Sequence, residues 1–171
     1  MKTKQMAYIA MIAAVYTAVS LALAPISFGM MQVRIAEALT ILPLIYEPSI
    51  WGVTLGCFLT NLLGAMTGVN PTGAIDAVVG TLATLGAAYF TWKFRDRIIK
   101  GVPVLSMAMP VIWNFVLVGT ELGVMFPVSD HLFASILING AWVAVGEVVA
   151  VILGLILVRM LVKTKLFPEN N

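Results

Sequence analysis

Apolar residues run along this chain in long, nearly unbroken blocks, separated by short breaks that carry proline, glycine or charge. Such blocks predict membrane-spanning helices, because a barrel strand would show about ten residues in strict apolar/polar alternation. A helix needs roughly 20 apolar residues to cross a bilayer. The breaks divide the chain into six candidate helices, at about residues 6–24, 35–46, 49–66, 73–92, 103–125 and 132–161. Pro25 ends the first, Glu47-Pro48 parts the second from the third, and Gly68-Val-Asn-Pro71 turns between the third and fourth. The second, Ile35 to Tyr46, is short for a span. It is expected either to tilt and re-enter or to begin deeper than its neighbours. Pro110 predicts a kink in the fifth helix, and the sixth is long enough to tilt or protrude.

Composition turns this pattern into a class. The chain has 171 residues, 61% of them hydrophobic and 11% charged, with a mean hydropathy of +1.02. It reads as an all-α integral membrane protein, one six-helix domain over residues 1–171 with little extramembrane mass. Met1-Lys-Thr-Lys, the apolar run after it and Ala22-Leu23-Ala24 have the layout of a secretory signal, yet the segment is expected to remain as the first transmembrane helix. A single cysteine, Cys57, and a single histidine, His131, exclude an internal disulfide and argue against a zinc site. A net charge of +2 is too small to imply nucleic acid.

Six spans place nine of the ten Lys and Arg residues on one side: Lys2, Lys4, Lys93, Arg95, Arg97, Lys100, Arg159, Lys163 and Lys165. The positive-inside tendency makes that side, with both termini, cytoplasmic. Arg34 is the exception. An arginine at the outer mouth of a short helix needs a local partner, and Glu37, one turn on, is the nearest in sequence.

Depth then gathers a polar constellation in the outer half of the bundle: Glu37 on the second helix, Asn61 on the third, Asp76 on the fourth, Asn114 and Glu121 on the fifth and Asn139 on the sixth. Each has a structural alternative. Glu37 could only neutralise Arg34, Asp76 could favour a helix N-terminus, and Asn61 and Asn139 could join helices by hydrogen bonds. Glu121 has no basic residue near its depth, and Glu147, deeper on the sixth helix, could line a cavity floor or pair within the bundle. Trp113 and Trp142 sit beside Asn114 and Asn139, too deep for the interfacial belt that suits Trp51 and Trp92, and so are candidates to stack on a planar ligand. Ala10, Ala14 and Ala18 form a small-xxx-small stripe on the first helix, fit for packing within the bundle or against another protein.

No phosphate-binding G-x-x-x-x-G-K-[ST] loop, G-x-S-x-G elbow or H-E-x-x-H motif occurs. An enzyme is not expected, no cofactor or metal is implied, and an outward polar pocket on a small bundle reads as a binding subunit.

The run Val33-Arg34-Ile-Ala-Glu37-Ala-Leu-Thr-Ile-Leu-Pro43, with Gly56-Cys57-x-x-x-Asn61-Leu-Leu-Gly64 and Asp76-Ala-Val-Val-Gly80-Thr81-Leu82-Ala83-Thr84, resembles the queuosine-precursor transporter family, QueT. Its members are substrate-binding S components of energy-coupling factor (ECF) transporters in prokaryotic cell membranes. The resemblance implies capture of a 7-deazapurine from outside and association with a T component and two cytoplasmic ATPases. It casts the Ala10, Ala14 and Ala18 stripe as the docking surface for the T component, and the loop Ile26 to Val33 as a substrate-covering lid. A deazaguanine edge offers N–H donors to a carboxylate, its carbonyl needs a donor, and an aminomethyl group would take a second acid. A pterin, a pyrimidine or, further off, an intramembrane reaction are the alternatives.

Overall fold

The computed structural model describes residues 3–28, 33–164 and 167. Its helices are α1 (Thr3–Ala22), a four-residue turn α2 (Ala24–Ser27), a 3-10 helix (Ile35–Leu44), α3 (Ser49–Thr67), α4 (Ala74–Lys93), α5 (Val104–Met125) and α6 (Leu132–Thr164). Five of these, α1 and α3 to α6, are long and apolar enough to cross a membrane. Lys2, Lys165 and the middle of the expected lid, residues 29–32, lie outside the described residues.

The second expected helix departs most from its reading. Ile35–Leu44 is a ten-residue 3-10 helix, not an α-helix to Tyr46. Pro43 explains part of this. In an α-helix its ring would press on the carbonyl of Leu39 and it has no N–H to give. At about 2.0 Å per residue rather than 1.5 Å, ten residues reach about 20 Å instead of 15 Å. Pro25 likewise does more than end α1, since it occupies the first turn of α2, where its missing N–H costs nothing.

Helix directions follow from paired residues. Gly52 of α3 lies against Ile12 and Gly56 against Tyr16, while the Thr17 hydroxyl donates to the Gly56 carbonyl at 3.2 Å. Residue numbers rise together, so α1 and α3 are parallel and the chain between them returns to the end where α1 began. Asn61 beside Asp76, Thr91 beside Ser106 and Gly119 beside Gly140 make α3 to α6 successive antiparallel neighbours. Tyr8, Tyr46 and Phe167 meet at one end, with Phe167 stacked 4.8 Å from Tyr46 and 5.5 Å from Tyr8. Both ends of the described chain therefore share one end of the bundle, together with Lys93, Arg95, Arg97, Lys100, Arg159 and Lys163.

The bundle is polar inside and apolar outside. Leu82, Val116, Val145 and Ile156 are exposed, whereas Glu37, Asn61, Asp76 and Thr84 are fully buried. A surface meant for lipid gives that arrangement. Toward the chain-end side, Ile41, Leu42, Tyr46, Ile50, Val53, Val151 and Val158 fill the interior as an apolar plug. Pro110 has no N–H for the Ser106 carbonyl, and the Thr91 hydroxyl of α4 donates to that carbonyl at 3.1 Å. The Ser106 hydroxyl returns a bond to the Thr91 carbonyl at 2.9 Å.

The two faces of α1 differ. Ile9, Ile12, Ala13, Tyr16 and Ser20 are buried. Ala10, Ala14 and Ala18 are exposed, so the stripe is not spent on packing within the bundle. The small residues that bring α1 close are on α3. A Cβ on Gly56 would sit 2.7 Å from that of Tyr16 and 3.1 Å from the Ala13 carbonyl oxygen. Gly56→Leu is therefore expected to force α1 away and destabilise the protein by about 1–3 kcal/mol, the usual cost of overpacking, whereas Ala14→Leu leaves the thermal unfolding of the isolated protein in detergent unchanged.

Candidate functional site

The ion pair expected between Arg34 and Glu37 does not form. Arg34 is the extended residue that precedes the 3-10 helix, and its Nη2 lies 2.5 Å from Oδ2 of Asp76 in the first turn of α4. Forty-two positions separate the two in sequence, and α3 with its following turn brings them together. The Phe28 ring lies 5.8 Å from the same guanidinium. Asp76 stands in the first turn of α4, where an acid favours a helix N-terminus, and it has further partners as well. Asn70 donates to its Oδ2 at 3.0 Å, and Asn61 donates to its backbone carbonyl at 2.8 Å.

Glu37 has other partners. The Tyr16 hydroxyl of α1 donates to its Oε1, and the Thr84 hydroxyl of α4 donates to the same atom at 3.0 Å. One buried carboxylate thus ties α1, the 3-10 helix and α4 together. The Thr40 hydroxyl donates to the Glu37 carbonyl at 2.6 Å, which closes the same turn.

Gly80 makes room for the cluster. A Cβ there would collide with the Asp76 carboxylate, lie 2.7 Å from the Asn61 amide nitrogen and 3.4 Å from the Arg34 guanidinium. Around this point, buried acceptors are left over among the described residues. Oε2 of Glu37, Oδ1 of Asp76, Oδ1 of Asn61, Oε2 of Glu147 and both carboxylate oxygens of Glu121 have no hydrogen-bond partner. Nearly every buried polar atom in a folded protein finds a partner. Arg34 Nε is an unpartnered donor in the same cluster, so among its charged and amide groups acceptors outnumber donors, which fits a ligand that gives more N–H groups than it accepts. A cleft of about 250 Å³, lined by Ala24, Pro25, Phe28 and Val69, opens at this end of the bundle.

The other expected residues divide. Glu121 and Glu147 are buried on the inner faces of α5 and α6. Asn114 is buried but donates to the Pro110 carbonyl of its own helix at 3.0 Å. Asn139 donates to the Ser135 carbonyl at 2.9 Å and reaches that of Phe126 at 3.4 Å, so it ties α6 to the end of α5. The two tryptophans are not brought to the cluster. Trp142 is 47% exposed, because Asn139, Val143, Gly146 and Glu147 take the inner stripe of α6. Trp113 packs on Gly86 and stacks 5.7 Å from Phe90.

Tyr16, Asn70 and Thr84 were not expected at the site. Thr84 closes the run that begins at Asp76, two helical turns from its acid, and Tyr16 lies on the face of α1 opposite the alanine stripe. Both signals are present in the sequence.

The family model described as QueT transporter matches residues 6–163. No curated protein and no solved structure matches the chain.

The Arg34–Asp76 pair sets a double-mutant test. Arg34→Gln leaves a buried carboxylate without its cation and is expected to cost about 3–5 kcal/mol. Adding Asp76→Asn should recover part of that loss. Thermal unfolding of the single and double variants in detergent reads the coupling.

Proposed function

Since the chain belongs to the QueT transporter family, we propose that it is the substrate-binding S component of an ECF importer for a queuosine precursor, 7-aminomethyl-7-deazaguanine or a related 7-deazapurine. The observation that carries this reading is the set of unpartnered carboxylate oxygens on Glu37, Asp76, Glu121 and Glu147. A deazaguanine presents adjacent N–H donors on its pairing edge, which a carboxylate accepts in bidentate fashion, and its aminomethyl group is a cation that takes a further acid. Asn61 and Arg34 supply donors for the ring carbonyl. Asn139 ties α6, which presents Glu147, to the end of α5, which presents Glu121.

The membrane topology belongs to the same proposal. The 3-10 helix and its flanks serve as the second of six passes through one domain, its longer rise making up for its few residues. The shared end of the bundle, with its basic residues, faces the cytoplasm of a prokaryotic cell. The acids then face outward, and the apolar plug beneath them closes the inward path. The chain carries no phosphate-binding loop, so work on the ligand falls to a T component and two ATPases, and the chain has no catalysis of its own. The exposed alanines at 10, 14 and 18 present a flat, small-residue face on which a T-component helix would seat closely.

Ligand affinity tests the pocket. Glu37→Gln, Asp76→Asn and Glu121→Gln are each expected to weaken 7-aminomethyl-7-deazaguanine by about tenfold or more, as loss of a charge-assisted hydrogen bond does. Calorimetry on the purified protein measures it. Retained affinity in all three variants, or tighter binding of a pterin or a pyrimidine, overturns the reading. Ala14→Leu separates the two surfaces. It should abolish assembly with the T component and uptake by cells, while the isolated protein binds ligand as before.

A further inference from the structure

An apolar groove of about 620 Å³ runs along the outer surface of the bundle, away from the polar cluster. Ile50 and Trp51 of α3 form one wall, Leu82, Tyr89 and Trp92 of α4 the floor, and Trp113 of α5 the other wall. Its volume is within the range of about 300–1,000 Å³ usual for ligand sites. Its length is informative. Leu82 to Trp92 is a rise of about 15 Å along a helix, half of the roughly 30 Å hydrocarbon core of a bilayer. The groove is as long as one leaflet is deep, and it runs along the half of α4 nearer the chain-end side.

A basic segment follows the end of the groove at Trp92. The Arg95 guanidinium lies 4.9 Å over the ring of Trp92 and is held there by a 3.1 Å hydrogen bond to the Trp92 carbonyl. The Lys93 ammonium lies 5.4 Å over the adjacent Phe90 ring. Arg97 and Lys100 follow, while Asp96, 3.9 Å from Arg95, is the acid within this run. Glu47 belongs to the groove lining, just before α3. The segment that follows Trp92 carries four cations, Lys93, Arg95, Arg97 and Lys100, against Asp96, so it is basic overall, and Arg95 on Trp92 is the cation that reaches the groove. Glu47, the charged residue of the lining, lies on the α3 side and favours the α4 side for a phosphate.

We infer that this groove binds one anionic glycerophospholipid, with an acyl chain laid along α4 from Trp92 to Leu82 and its phosphate on Arg95. Trp51, Tyr89 and Trp92 stand at the level of the glycerol backbone, where amphipathic rings are favoured. The site is independent of the polar cluster and of which solute that cluster takes.

Native mass spectrometry of the protein from mixed micelles of phosphatidylglycerol, phosphatidylcholine and phosphatidylethanolamine tests it. The expected result is one phosphatidylglycerol retained in preference to both others. Arg95→Gln should lower its retention about fivefold, the effect of one basic residue at a lipid surface. Leu82→Trp, at an exposed position, should fill the groove and displace the lipid without moving the melting temperature. Equal retention of the three lipids, a preference for phosphatidylethanolamine, or phosphatidylglycerol retention unchanged by both substitutions overturns the proposal. So does loss of assembly with a protein partner in Leu82→Trp while the lipid stays bound, since a partner helix would then be the occupant.

Discussion

One guanidinium among four buried carboxyl groups is the constraint around which this bundle is arranged. Arg34 stands with Glu37, Asp76, Glu121 and Glu147 in the interior, where an unpaired charge is far costlier than in water. Its pairing with Asp76 joins the residue before the 3-10 helix to the first turn of α4. Asn61 and Asn70 brace that aspartate, and Gly80 leaves the space in which they meet. Glu37 depends instead on two hydroxyls from different helices. The remaining acids have oxygens with no hydrogen-bond partner among the described residues.

The rest of the architecture allows that interior to exist in lipid. Apolar side chains point outward, and small residues at the contacts let backbones approach. Gly119 and Gly140 face each other across α5 and α6, and Gly154 of α6 receives the Ala38 carbonyl of the 3-10 helix. A larger side chain at any of these points would open the bundle. The pair made by Thr91 and Ser106 shows the same economy at Pro110, where a carbonyl left over by proline is taken up by a neighbouring helix.

Much of the fold was legible because proline and glycine breaks bound the long apolar blocks, and α3 to α6 begin and end within three residues of the expected positions. The 3-10 helix was not. Over ten mostly apolar residues, periods of 3.0 and 3.6 leave nearly the same pattern. Among the expected site residues, Glu37, Asn61, Asp76, Glu121 and Glu147 are buried. Position along a helix says nothing of angle, and Trp142 lies on the exposed side of α6. Arg34 was matched to its nearest acid in sequence, whereas chain folding chose one 42 positions away. Thr84 escaped because a threonine hydroxyl in an apolar helix can satisfy itself on its own backbone, and Tyr16 because its partner is 21 positions away on another helix.

Helix α1 is a partition only one helix thick. Its buried face offers Tyr16 to Glu37, and its exposed face offers Ala10, Ala14 and Ala18 to the membrane. A helix with its side chains is about 10–12 Å across. Anything seated on those alanines is therefore separated from the carboxylate by a single phenol ring and its own helix backbone. The buried carboxylate and the exposed alanines are thus one helix apart, with Tyr16 on the inner side of that helix.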